Sequence, residues 1–337
     1  MRTMADVQVT WVRRLLTVSG VVLATVLLAV ASPIWVVLAL AADLARGRTS
    51  CPTVRLMAFA LSWCALESAG VVAAGWLWLR GRKSDVGAHY ALQRWWATGL
   101  MRALRGTIGL RVDVEGARIA GPGPYVALCR HASLADALVS AWVFGTLAEL
   151  RPRYVLKKEL MWDPCLDIVG HRLPNYFVDR SSANVAAELA GIEKMAEGLG
   201  ARDVAVIFPE GTRANPAKRA REMARIATKD PDRAVRLGGL RHVMPPKPAG
   251  AGALLSAVPG ARVVTMWHVG FDGLDTFGGI LRHIARSRAH ARIVVSVHDR
   301  ATVPGGDAFV AWLDARWLEI DAAVGDAEAV RDRAETR

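Results

Sequence analysis

The sequence predicts an α/β domain preceded by a helical hairpin that spans a membrane. Three observations carry this expectation. From about residue 110 onward, short apolar runs of strand length alternate with helical patterns. The first 85 residues hold two much longer apolar runs. Hydrophobic residues make up 53% of the chain against 22% charged, a balance that excludes disorder. A length of 337 residues leaves room for one domain of ordinary size and an added segment.

The hairpin comes first. Leu15 to Ala42 is almost wholly apolar and follows Arg13 and Arg14; Leu56 to Leu79 is the second run, closed by Trp76, Trp78, Arg80, Arg82 and Lys83. About 20 helical residues cross a hydrocarbon core, so both runs are long enough. Trp followed by basic residues suits a helix end at the headgroup layer. Pro33 should kink or divide the first helix. Glu67, mid-way along the second run, needs a partner, a proton or a place at the interface. Ala29-Val30-Ala31 resembles a signal-peptide cleavage site, but the apolar run continues to Ala42 and a second follows, which favours the hairpin. Basic residues are denser on the outer flanks than in the connection with Arg46, Arg48 and Arg55. That asymmetry directs both ends, and with them the following domain, to the cytoplasmic side of the cell (inner) membrane.

A helix is expected around His89 to Arg105, with Leu92, Trp95, Trp96, Gly99, Leu100 and Ala103 at helical spacing. It suits either a membrane interface or packing on a core. Strands are expected at 110–114, 125–129, 176–178, 204–208, 263–267 and 293–297. Helices are expected near 134–149, 184–198, 251–258 and 307–324. The domains are therefore a hairpin at 1–85, a linker helix at 86–110, an α/β domain at 111–325 and a charged tail at 326–337.

A net charge of +12 favours anionic partners: nucleic acid, phospholipid headgroups, or phosphate-bearing substrates such as coenzyme A thioesters. Arg213 to Arg241 holds nine Lys or Arg against three acidic residues, which suits anionic lipid, coenzyme A phosphates or a solvated insertion. No recognition motif or stacking aromatic pattern accompanies these charges, so nucleic acid is not an expected partner. Cys51, Cys64, Cys129 and Cys165 form no CxxC pair and no zinc spacing; neither a disulfide framework nor a metal site is expected.

Two segments carry chemistry. In Tyr125-Val126-Ala127-Leu128-Cys129-Arg130-His131-Ala132-Ser133-Leu134-Ala135-Asp136 a buried strand ends and a histidine stands just before a helix. Residues five apart lie ~140° round a regular helix, so His131 and Asp136 meet only if His131 precedes the helix. Ser133 as N-cap with Asp136 at the third helical position would allow it. Asp136 would then hold one imidazole nitrogen while the other takes a proton from a hydroxyl. The alternative is a helix cap beside a satisfied histidine. The second segment is the strand Val204–Phe208 followed by Pro209-Glu210-Gly211-Thr212-Arg213. Pro and Gly make a turn, Gly admits close backbone approach, Thr212 offers a hydroxyl and Arg213 a planar fork suited to phosphate. Glu210 suits the orientation of Arg213 or a bond to a substrate hydroxyl. Here the alternative is a tight turn with a surface ion pair.

His131 and Asp136 in an H-x4-D arrangement, followed by Phe-Pro-Glu-Gly-Thr-Arg at 208–213, resemble the lysophosphatidic acid acyltransferase (PlsC-type) family. Tyr176-Phe177-Val178-Asp179-Arg180 resembles the family's aromatic-hydrophobic-Asp-Arg motif, and His242 to Lys247 a segment seen in some members; the similarity covers roughly 120–272. It implies a mixed, largely parallel sheet flanked by helices, the glycerolipid acyltransferase fold. His131 would deprotonate the acceptor hydroxyl and Asp136 would orient it. Arg180 and Arg213 would bind the acceptor phosphate, with Glu210, Gly211 and Thr212 shaping the substrate site. The implied reaction moves a fatty acyl group from acyl-CoA or acyl-carrier protein to a lysophospholipid, foremost 1-acylglycerol 3-phosphate, with no cofactor and no acyl-enzyme; no GxSxG elbow is present. Another lysolipid or glycolipid acceptor, a lipid hydrolase and a non-catalytic membrane module are the alternatives. The sequence departs from the family pattern in three places: Arg130 stands where Asn is usual, Pro174-Asn175 precede the Arg180 motif where Gly is common, and Val264-Thr265-Met266-Trp267 stands in place of a Val-Pro pair.

Overall fold

The computed structural model describes residues 4–119, 121–179, 182–271, 281 and 290–335. Numbered in chain order, the helices among them are α1 (Met4–Val30), α2 (Ser32–Ala45), α3 (Pro52–Leu79), α4 (Val86–Ala103), α5 (Asp136–Trp142), α6 (Pro164–Gly170), α7 (Val185–Ala196), α8 (Pro216–Lys229), α9 (Pro231–Arg236), α10 (Pro248–Ala257) and α11 (Gly306–Glu335). The strands are β1 (Arg111–Glu115), β2 (Tyr125–Cys129), β3 (Arg151–Lys157), β4 (Tyr176–Val178), β5 (Asp203–Ile207), β6 (Arg262–Val269) and β7 (His290–His298). They form two units that interleave along the chain, where the sequence reading divided it end to end. One comprises the described residues of Met1–Arg111, Leu156–Arg180 and Thr276–Ala289, the other those of Val112–Val155, Ser181–Asp275 and His290–Arg337.

The first unit is helical. Pro33 divides the first apolar run as its missing N–H requires: α1 ends at Val30, and α2 restarts with Pro33 in its first turn. Gln8–Val30 and Pro52–Leu79 are long and apolar enough to cross a membrane. Val9, Val12, Leu16, Leu23, Leu27 and Val30 recur three, four or seven residues apart on α1, and all are exposed. The polar residues of these helices instead find partners inside the unit. Asp43, fully buried at the end of α2, accepts from Thr53 N at 2.8 Å and Thr53 Oγ1 at 2.6 Å at the start of α3. Arg13 and Arg14 share the buried Asp167 of α6, at 3.0 and 2.8 Å. Glu67 accepts from Trp96 Nε1 at 2.8 Å and from Cys165 N at 3.2 Å. A mid-helix carboxylate is thus turned away from the apolar exterior, which answers the cost its position raised. α4 buries Tyr90, Leu92, Ala97, Leu100 and Met101, so this face of the expected linker helix packs on protein; Trp95 on the same helix stays exposed.

The second unit is the α/β part. Six strands stand in the order β1-β7-β6-β2-β5-β3. β2 runs parallel to both β5 and β6, β3 runs parallel to β5, and β7 is antiparallel to β6. The sheet is therefore mixed and largely parallel, with helices packed on it. β2, covered on both faces, is buried at all five residues, whereas β1 alternates as a half-covered strand should. α10 packs on β2, β5 and α7, and α11 packs on β6 and α10 with Leu313 and Trp317 fully buried.

Several elements differ from the sequence expectation. β3 was not anticipated, because Arg151, Pro152 and Arg153 open it and hide the apolar Tyr154-Val155-Leu156 that follows. The basic stretch after Arg213 folds into α8 and α9, so it is no unstructured insertion. Asp314 of α11, fully buried, binds Arg233 at 2.8 Å and Arg236 at 2.9 Å. Asp321 likewise accepts from the backbone N–H groups of Arg241, His242 and Val243. α11 runs as one helix to Glu335, well past the expected end at 324. Asp314→Ala would leave two arginines without their buried anion, a loss on the order of 3 kcal/mol. Tryptic cleavage within 216–236 is expected to accelerate in that variant; an unchanged digestion rate would refute the role given to Asp314.

Candidate active site

Parallel register decides which loops meet. Leu128 of β2 lies level with Ile207 of β5, and Cys129 with Met266 of β6. The residues just past β2 and β5, and the last residues of the longer β6, therefore converge at one sheet edge. His131 arrives from β2, the 208–213 loop from β5, and His268 from β6.

His131 and Asp136 meet as expected, with Nδ1 and Oδ2 2.7 Å apart. The local geometry differs from the expectation. α5 begins at Asp136 itself, and Ser133–Ala135 form a turn outside it. The Asp136 carboxylate folds back to accept from Ala132 N at 2.7 Å, from Ser133 N at 3.0 Å and from Ser133 Oγ. Ser133 Oγ in turn accepts from Ala135 N at 3.1 Å. The side chain thus caps a turn and orients the imidazole together. His131 keeps a quarter of its side chain exposed while Asp136 is buried. With Nδ1 committed to Asp136, Nε2 is the ring nitrogen left for a substrate proton.

The 208–213 loop holds His131 by its backbone. Glu210 Oε1 accepts from His131 N at 2.8 Å, Ala214 N donates to His131 O at 2.8 Å, and the Phe208 ring lies 5.1 Å from the imidazole. The second oxygen of Glu210 accepts from Met244 N at 3.0 Å. Glu210 is buried and makes these backbone bonds, so it stands beneath the site as a brace between His131 and the 242–247 segment. Gly211 sits at φ +68, in the region glycine favours, and a Cβ there would meet Lys247 Cδ at 3.4 Å. Thr212 Oγ1 accepts from Lys218 Nζ at 3.2 Å. Arg213 Nη1 is buried without a hydrogen-bond partner among the described residues, a donor available to an anion. Arg180 lies outside the described residues.

The two carboxylates are driven apart. Burial alone would raise Asp136, but the charge on His268 and the bond from His131 outweigh it and hold the carboxyl well below the usual range. Burial pushes Glu210 up to about 8, against the pull of the His131 and Met244 N–H groups and of the Arg130 charge. Asp136 is thus a fixed anion suited to orient an imidazolium, while Glu210 is poised to hold a proton near neutrality.

Two further residues shape the site. Arg130 is 2% exposed; its N donates to Met266 O at 2.8 Å and its side chain donates to the carbonyl of His268. It points inward under the sheet edge, which accounts for a large cation next to His131. His268 was missed because the expected strand stopped at Trp267, whereas β6 runs to Val269. The apolar run continuing across His268 to Val269 was the signal available.

Residues 111–269 match the family model described as Acyltransferase. Among solved structures, the chain is similar to the one described as the 1-acyl-sn-glycerophosphate (LPA) acyltransferase, PlsC, from Thermotoga maritima. The two are 17% identical, with a TM-score of 0.53 over 82% of this chain and 98% of that one. At that identity the likeness speaks for the fold. No curated protein matches the sequence.

Proposed function

We propose that this chain, whose residues 111–269 match the Acyltransferase family model, transfers a fatty acyl group from acyl-CoA or acyl-carrier protein to the free hydroxyl of a lysophospholipid, foremost 1-acylglycerol 3-phosphate, giving phosphatidic acid. The observation that carries this reading is the 2.7 Å bond between His131 and the buried Asp136, set on a backbone that the 208–213 loop holds in place. His131 Nε2 takes the proton of the acceptor hydroxyl as its oxygen attacks the thioester carbonyl. The new C–O bond forms, the C–S bond breaks, and the imidazolium returns the proton to the leaving thiolate. No covalent enzyme intermediate is needed; rate comes from positioning and base catalysis.

Arg213 supports a phosphate-bearing acceptor, since its buried Nη1 lacks a partner. Arg180, with Thr212 and Gly211, completes the proposed binding set. Arg213→Ala is expected to raise KM for lysophosphatidic acid about tenfold, the order of one lost charge-assisted bond, with KM for acyl-CoA little changed. Equal KM values in wild type and variant would remove Arg213 from the phosphate site.

The apolar, outward-facing stripe of α1 and the two long helices support attachment to the cell (inner) membrane, with the α/β unit on the cytoplasmic side. Incubation of the purified full chain with labelled acyl-CoA and a panel of lysolipids, followed by mass spectrometry, tests the function. Diacyl product from lysophosphatidic acid is expected. Free fatty acid alone would mean a hydrolase, and product only from another lysolipid would move the acceptor.

A further inference from the structure

Asp136 carries a second imidazole. His268 is 1% exposed, and its Nε2 lies 3.0 Å from Asp136 Oδ1. The approach is off the line of a straight N–H···O bond: neither ring nitrogen makes a directed hydrogen bond among the described residues. The Phe271 ring, edge-on at 5.2 Å, packs against the imidazole, and Arg130 holds the His268 carbonyl. A buried polar ring without directed bonds is uncommon and asks for an explanation.

The division of labour at Asp136 supplies one. Oδ2 accepts from His131 Nδ1 and Ala132 N, while Oδ1 accepts from Ser133 Oγ and faces His268. His131, Ala132 and Ser133 all belong to the turn that leads into Asp136 and move with it. His268 comes from β6, in the interior of the sheet. The donors of Ala132 and Ser133 come from the same turn as Asp136, so His268 is the neighbour that ties Oδ1 to the sheet; without it the Oδ1 side of the carboxylate keeps only partners within its own turn.

We propose that His268 is a positioning residue for the reaction: it anchors Asp136 Oδ1 to β6, so that Oδ2 stays on His131 Nδ1 and Nε2 keeps its lone pair for the acceptor proton. This rests on the acyl-transfer reading for its kinetic consequence but not for its geometry. His268→Phe keeps the ring and removes both nitrogens; His268→Gln returns an N–H at similar reach. In the full chain in detergent micelles, H268F is expected to lower kcat about tenfold, a fraction of what the general base itself contributes, with KM for acyl-CoA and lysophosphatidic acid nearly unchanged. H268Q should recover most of that loss. Nitrogen-15 imidazole spectra should show His131 as a single Nδ1–H tautomer in the wild type and H268Q, and as a mixture in H268F. If H268F does not fold, H268M, which also lacks a donor, takes its place. Wild-type kcat and tautomer in the donor-less variant would overturn the proposal, as would H268Q being as impaired as H268F, because packing and not the N–H would then be at stake. If the wild type itself transfers no acyl group to any lysolipid, acyl transfer fails, and the His131 tautomer alone decides the role of His268.

Discussion

His131→Ala is expected to lower kcat for acyl transfer about 10³-fold, in the middle of the range for a positioned general base, while binding to vesicles stays at the wild-type level. The imidazole is the group that can take the hydroxyl proton, since Glu210 spends both oxygens on backbone N–H groups and Asp136 is buried beneath His131. Stability should change little. Removing a side chain that is a quarter exposed costs Asp136 one donor out of several, about 1 kcal/mol. Kinetics on the purified variant beside a thermal melt checks both parts. Transfer at a rate near wild type would sink the mechanism, and loss of vesicle binding would mean that the substitution acts through the fold.

Asp136→Asn is expected to do comparable damage to kcat, by about 10³ to 10⁴-fold, and unlike His131→Ala it should also destabilise the protein. The amide can accept at its oxygen but presents N–H groups where Ala132 N, Ser133 N or His131 Nδ1 already donate. One buried donor left unsatisfied costs about 1–3 kcal/mol. That lowers the melting temperature by several degrees in a domain of this size, at roughly 2–4 °C per kcal/mol. The pH dependence has a definite sign. The folded-state carboxyl of Asp136 titrates below its ordinary value of 3.8. Its stabilisation is therefore complete above pH 3.8 and is lost as pH falls below that value towards the depressed folded one. The wild type should lose part of its stability margin over the variant in that window. Parallel stability curves for the two proteins from pH 5 to pH 2 would remove Asp136 from the acid response.

The extent to which these sites could be read in advance follows from how local each one is. His131 and Asp136 are five residues apart and the 208–213 motif is contiguous, so their spacing was visible along the chain. α5 starts at Asp136 and not just after Ser133, a boundary that periodicity does not encode. β3 was hidden by charged residues at its head, and α8 and α9 by a sequence so basic that it suited several environments. Their placement depends on Asp314, some eighty residues further on. Glu210 shows the same limit inside a motif. Its place in the loop was plain, but its bonds go to His131 N and Met244 N, partners that only the folded sheet brings near.

The sequence by itself determined the α/β class, the two apolar helices with their break at Pro33, and the order of the two candidate site motifs, because each is a pattern of residue types within one segment. The tertiary structure decided which loops share a sheet edge, that Glu67 faces Trp96, that Arg130 points inward, and that a second histidine stands against Asp136. The physical reason is strand register. β2 and β6 are more than a hundred residues apart, and the pairing of Cys129 with Met266 is set by the burial of whole strands against one another, which brings His268 level with Asp136 and His131.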